Sequence, residues 1–210
     1  MAGAADSLDD QVRAADPDRW LSSRFVGDVQ ARADLIALYA FEAELLTIPT
    51  RVTQPLLAEM RYAWWREQMD GVFSGVARKG HPVLEALTDM VGRRGLDRAA
   101  FDALIEAHID RVHGEQHDLN AFYVRPMQTA VQILAGHGHE DAVADAANVW
   151  GLIQVGRVEE AGAFRSEANR ALRRLPSEAF PAVAHAALKP DMPEPVKRVK
   201  LTWATLRGQI

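Results

Sequence analysis

Residues 28–49 read DVQARADLIALYAFEAELLTIP, and this stretch decides the fold. Leu38, Phe41, Leu45 and Ile48 recur at three- and four-residue steps, and Leu35, Tyr39 and Leu46 form an adjoining line. With 3.6 residues per turn, both lines fall on one side of an α-helix. So wide an apolar face predicts a central helix, running from Asp28 or Gln30 to about Thr47. Pro49 should end it, because proline lacks an N–H and clashes with the preceding turn. Glu42 projects between the two apolar lines.

Working outward, helical spacing continues along the chain, and no stretch alternates apolar and polar residues long enough for a strand. A first helix is expected from Ser7, as its cap, to Ala15, stopping before Asp16-Pro17. A short turn then carries Trp20, Leu21 and Phe25. Thr53 should cap a helix reaching about Phe73, with Pro55 in its first turn. His81-Pro82 opens another that ends near Gly95, and Asp97 caps one to about Asp118. Ala121–Ala135 and Glu140–Ala163 follow, the latter despite Gly151 and Gly156, each of which costs a helix about 1 kcal/mol against Ala. Two shorter helices and a last one over Pro195–Arg207 complete an all-α, single-domain antiparallel bundle. Residues 1–15 are set apart as an N-terminal extension of a helical domain over 16–210.

The 210 residues include no cysteine, which excludes disulfides, thiol nucleophiles and thiolate metal sites. The 24 basic and 29 acidic residues are well mixed, and no basic block points to a nucleic acid. Residues 1–16 hold four aspartates and one arginine, the opposite of a transit peptide. No apolar run approaches the ~20 residues that span a bilayer. A cytoplasmic location follows as the expectation, with room for peripheral contact at the inner face of a membrane.

Several polar constellations compete with plain solvation. Leu56, Met60 and Trp64 line up with Glu67 at helical spacing, and a carboxylate in an apolar stripe needs an ion partner such as Arg61 or Arg157, or a wet cavity. Glu106, Asp110, His113 and His117 share one face if their helix runs on. Asp110, His113 and His117 are thus metal-ligand candidates, with a solvated face as the alternative. Asp141 and Asp145 read as acids at a helix start. No phosphate-cradling glycine loop, nucleophile elbow or matched triad is present.

Leu38-Tyr39-Ala40-Phe41, then Met60-Arg61-Tyr62-Ala63-Trp64-Trp65-Arg66 and His81-Pro82-Val83, resemble the squalene/phytoene synthase family. Ala40-Phe41-x-x-Glu44-Leu45 with Met60-Arg61-x-x-x-Trp65 is similar to one branch, that of the mitochondrial respiratory complex I assembly factor. Asp16-Pro17-Asp18-Arg19-Trp20-Leu21, Arg94-x-Leu96, Leu104-Ile105-Glu106 and Leu175-Pro176-x-x-Ala179-Phe180-Pro181-Ala182 keep the order of that branch. The resemblance implies an isoprenoid synthase-type bundle around a deep apolar cavity. In the family's enzymes, two aspartate-rich helical motifs bind Mg²⁺ and a diphosphate leaving group, chemistry that needs several carboxylate oxygens. Here the first motif falls on Leu46, Thr47 and Thr50. The second follows Arg157, on Val158 and Gly162. The chain is also shorter than the resemblance implies, so one cavity wall is expected to be reduced.

The resemblance therefore implies a non-catalytic protein of binding or assembly, with a protein client or an isoprenoid or lipid ligand and no cofactor. One alternative is a prenyl transferase joining two isoprenyl diphosphates head to head, with Mg²⁺ held by stand-ins among Glu42, Glu44 and Glu67 and with Arg157 beside them. Another is an isoprenoid or lipid carrier whose cavity is lined by Leu38, Phe41, Leu45, Met60 and Trp64.

Overall fold

The computed structural model describes residues 2–52, 54–76 and 78–210, and of residues 2–7 the backbone alone. Among the described residues there are helices and turns and no strand. Ten α-helices follow in order: α1 (Ala2–Ala15), α2 (Pro17–Ser23), α3 (Val29–Arg51), α4 (Pro55–Ser74), α5 (Pro82–Arg94), α6 (Arg98–Val112), α7 (Arg125–Ala135), α8 (Ala144–Gln154), α9 (Val158–Ala171) and α10 (Glu194–Arg207). A π-helical turn, Asn120–Val124, leads into α7, and short 3₁₀ turns carry the chain from α9 to α10.

Helix α3 is the central element, buried without a break from Asp34 to Ala43. Asp28 caps it by accepting the Ala31 N–H at 2.6 Å. Around it pack α1, α2, α4, α5 and α7. Leu8 and Val12 of α1 join the core, so the chain ahead of residue 16 is packed from Leu8 onward. Asp34, itself buried, ties the start of α3 to the end of α5 by accepting from Arg93 at 2.6 Å and Arg94 at 2.7 Å.

Three helix ends differ from the sequence expectation. Helix α3 runs through Pro49 to Arg51, because the hydroxyl of Tyr62 serves the Leu45 carbonyl, to which Pro49 has no N–H to donate. Helix α6 stops at Val112, where the chain turns through Gly114 at φ +85°. The expected helix over 140–163 is instead two helices. Gly156 takes φ +80° and the Arg157 N–H returns to the Leu152 carbonyl at 2.8 Å. This is a glycine C-cap of the Schellman kind, and it folds α9 back along α8.

The remaining start signals are mixed. Asp97 accepts from the Ala99 N–H at 2.9 Å, as a cap should. The first helix begins at Ala2, ahead of Ser7, whose side chain lies outside the described residues, as does Thr53. Neither Asp141 nor Asp145 caps α8 with its side chain. Glu140 does the local work there, accepting from the Gly138 N–H and the Gln132 amide, each at 2.7 Å.

Candidate functional site

Asp16 accepts the Arg19 backbone N–H at 2.9 Å and so caps α2, with Pro17 pre-set at the first helical position. That geometry turns the Arg19 guanidinium into the bundle. Its Nε donates to Asp16 Oδ2 and its Nη1 to Glu42 Oε2, both at 2.6 Å. Its carbon lies 4.6 Å from the centre of the Tyr39 ring, a cation–π contact. The buried carboxylate in the apolar face of α3 is thus Glu42, and its partner is Arg19.

The group walls a partly open pocket of about 130 Å³. Tyr39, Glu42 and Leu46 come from α3, Leu104, His108 and Arg111 from α6, and Trp150 and Gln154 from α8. His117 enters from the loop after α6, Phe122 and Tyr123 from the π-helical turn, and His185 from a 3₁₀ turn. Tyr123 fits because α8 carries glycine where it passes: a Cβ on Gly151 would stand 2.6 Å from Tyr123 Cδ2.

Burial and Arg19 together set the charge states. Burial pushes both carboxylates up. At Asp16 the charge and hydrogen bonds of Arg19 outweigh it and hold the acid below its usual range. At Glu42 burial wins, and the acid is raised. Burial, then the Arg19 charge, pushes His185 down to about 3. Burial, then the nearby Arg111 and His117, does the same to His108. Both rings are neutral at ordinary pH, and His108 stacks on Tyr62 with ring centres 5.2 Å apart.

The predicted site residues disperse. Only Glu42 and His117 reach this cavity. Glu44 accepts from Gln11 at 2.7 Å and, with Trp64, lines a separate surface pocket of about 270 Å³. Glu67 is exposed, as are Leu56 at 67% and Met60 at 60%, because α4 turns Ala58, Tyr62, Trp65, Met69 and Val72 inward instead. Leu45 is fully buried packing, and Leu38 and Phe41 border a void of only about 10 Å³. Arg157 is exposed and holds Glu160 at 2.7 Å, so it partners neither Glu67 nor the cavity. The stripe of Glu106, Asp110, His113 and His117 is broken by the end of α6. Asp110 and His113 stay at the surface, His113 lies 3.6 Å from Glu59, and His117 turns inward alone.

A Mg²⁺–diphosphate cluster fits these residues poorly. The two carboxylates on the cavity wall, Asp16 and Glu42, are both engaged by Arg19. Where the resemblance assigns metal-binding aspartates, Leu46 stands at the cavity rim, while Thr50, Val158 and Gly162 are exposed. Among the described residues no three acidic or histidine side chains are grouped to hold a metal ion. The sequence reading missed Arg19, Tyr39, His108 and His185. A signal existed for the histidines: each stands in an apolar run, Ile105-Glu-Ala-His108-Ile and Ala182-Val-Ala-His185-Ala-Ala-Leu188.

The squalene/phytoene synthase family model matches residues 12–125, more than half of the chain. The chain belongs to the squalene/phytoene synthase family. Among solved structures it is similar to squalene synthase HpnC from Alicyclobacillus acidocaldarius, with a TM-score of 0.66 and 16% identity over 98% of this chain and 94% of that one. At that identity the likeness shows the fold, which is the all-α isoprenoid synthase fold. No curated protein matches. No helix among the described residues is long and apolar enough to cross a membrane.

Proposed function

We propose that this family member works by binding, in the assembly of a larger complex, and not by prenyl transfer. The observation that carries the proposal is the Arg19 clamp: the two carboxylates lining the cavity are bound to one guanidinium, at 2.6 Å each. A metal cluster for diphosphate departure would need several free carboxylate oxygens at the same place. The carrier alternative draws less support, because a space of about 130 Å³ suits a single six-membered ring rather than a prenyl chain. The resemblance of several segments to the complex I assembly factor branch supports a respiratory complex as the setting.

Helix α10 supplies a surface for such a role. Val196, Val199, Trp203 and Leu206 repeat at helical spacing and are all between 50% and 76% exposed. Lys200 and Arg207 flank them, the latter 4.2 Å from the Trp203 ring. An apolar stripe with basic edges suits peripheral attachment to an anionic membrane, where a membrane-embedded client would be met. The test is diphosphate release from farnesyl diphosphate with Mg²⁺. We expect none above a blank, and steady turnover abolished by Glu42→Gln would overturn the proposal.

A further inference from the structure

Four buried polar atoms without a hydrogen-bond partner belong to residues that line the Arg19 pocket. They are Tyr39 Oη, Glu42 Oε1, His117 Nε2 and His185 Nδ1. Tyr39, Glu42 and His185 are each at least nine-tenths buried, so bulk water does not serve them. A folded protein leaves few such atoms, and each costs free energy. Four around one space, on three separate stretches of chain, mark that space as built for something that hydrogen-bonds. A prenyl chain offers no such bonds.

We propose that the cavity binds a small, neutral ring molecule bearing hydroxyl or amide groups. Size suits a ring: about 130 Å³ is close to the roughly 150 Å³ of an engineered cavity that takes benzene. The walls suit a flat face, since Trp150, Phe122, Tyr123 and Tyr39 all border the space. Charge argues for neutrality, because Asp16 and Glu42 are balanced on the lining by Arg19 and Arg111. The edge chemistry is mixed. Tyr39 Oη donates or accepts, Glu42 Oε1 accepts when ionised, and each neutral imidazole nitrogen takes whichever role its tautomer allows. A ligand with several hydrogen-bonding groups around its ring would meet donors and acceptors contributed by α3, by the loop after α6 and by the 3₁₀ turn of His185. The proposal stands whether or not the chain also has a catalytic activity.

The test uses the full chain and four probes: phenol, resorcinol, nicotinamide and, as the apolar control, benzene. Calorimetry should give one-to-one binding of at least one polar probe, about tenfold tighter than benzene. Tyr39→Phe and His185→Phe should each weaken that probe about five- to tenfold. Should either variant fail to fold, the wild-type NMR spectrum decides alone. The bound probe must shift the indole resonance of Trp150, inside the cavity, and leave that of exposed Trp203 in place. Failure of all three polar probes, benzene binding as well as they do, undiminished binding by folded variants, or a shift at Trp203 only would each overturn the proposal, leaving a cavity that holds ordered water.

Discussion

The hydroxyl of Tyr62 donates to the carbonyl oxygen of Leu45 at 3.1 Å, the one acceptor in the last turns of α3 that Pro49 leaves without a helical partner. A side chain from α4 thus replaces a backbone donor, and α3 keeps its course past a residue that ordinarily stops a helix. The Tyr62 hydroxyl also lies 3.4 Å from His108 Nδ1, so the repair joins α6 to the pair.

Tyr62→Phe should therefore destabilise the fold by about 1–3 kcal/mol, since a buried carbonyl loses its donor. Adding Pro49→Ala should recover much of that loss, because the substitution restores a backbone N–H at position 49 that reaches Leu45 directly. Urea denaturation of the two single variants and the double checks this. If Pro49→Ala rescues Tyr62→Phe no better than it stabilises the wild type, the hydroxyl is not standing in for the missing N–H.

A second outcome concerns pH. His108 and His185 stay neutral in the fold down to about pH 3, whereas an unfolded histidine titrates near pH 6.5. Between those limits the unfolded chain binds protons that the folded chain refuses. Stability is therefore full above about pH 6.5 and falls as the pH drops, by about 1.4 kcal/mol per pH unit for each ring. Asp16 and Asp34, both held below the usual carboxylate range, add to the loss only under about pH 4. Glu42 and Asp18, raised by burial, oppose part of this fall, and His117, lowered by burial, adds to it. Unfolding midpoints in urea should still decline between about pH 7 and pH 4, and His108→Gln should make the decline shallower. A flat profile would mean the rings are charged or solvated in the fold.

How much of this was legible depended on whether a feature is local or spatial. The burial of α3 could be read from Leu35–Ile48, because a 3.6-residue period is written in one segment. The Asp97 cap was legible for the same reason, whereas Asp28 was read only as one of two possible starts. The cavity was not: Arg19 and Glu42 are 23 positions apart, and His185 reaches the same space from the far end of the chain. The face of α4 was misjudged because Leu56, Met60 and Trp64 repeat at helical steps just as Ala58, Tyr62, Trp65 and Met69 do. Spacing alone does not say which of two apolar stripes meets the bundle. Likewise Gly156 reads as a weak helix residue in sequence, and only its positive φ shows that the chain reverses there.

Gly151 and Gly162 form a matched pair for a third experiment. A Cβ at Gly151 would lie 2.6 and 2.9 Å from Tyr123 Cδ2 and Cγ, whereas Gly162 faces nothing within 4 Å. Both are helical, so alanine brings the same propensity gain of about 1 kcal/mol at each. Gly162→Ala should raise the melting temperature. Gly151→Ala should lower it, with overpacking of about 1–3 kcal/mol exceeding the gain and the Tyr123 ring displaced. Equal effects at the two sites would show that the α8–Tyr123 contact yields freely.

The last prediction addresses the Arg19 clamp itself. Removing the cation by Arg19→Met strands Asp16 and Glu42 in a buried site, and loss of one partner from a buried ion pair costs about 3–5 kcal/mol. Glu42→Gln should cost less, about 1–2 kcal/mol, because Arg19 keeps Asp16 and the amide oxygen still accepts. The double variant Arg19→Met/Glu42→Leu should be more stable than Arg19→Met alone, since it removes a carboxylate that burial already disfavours. The pH response separates this account from simple loss of packing. Without Arg19, burial leaves both folded-state pKa values above their unfolded ones, so protonation on acidification favours the fold. The deficit of Arg19→Met relative to wild type should therefore shrink as the pH falls from about 8 to 5. His185, relieved of the Arg19 charge, adds to that shrinkage, while His108 weakens both proteins alike. Paired urea titrations across that range read the difference directly. A deficit that stays constant with pH would assign Arg19 to packing against Tyr39 and remove the electrostatic basis for the proposed clamp.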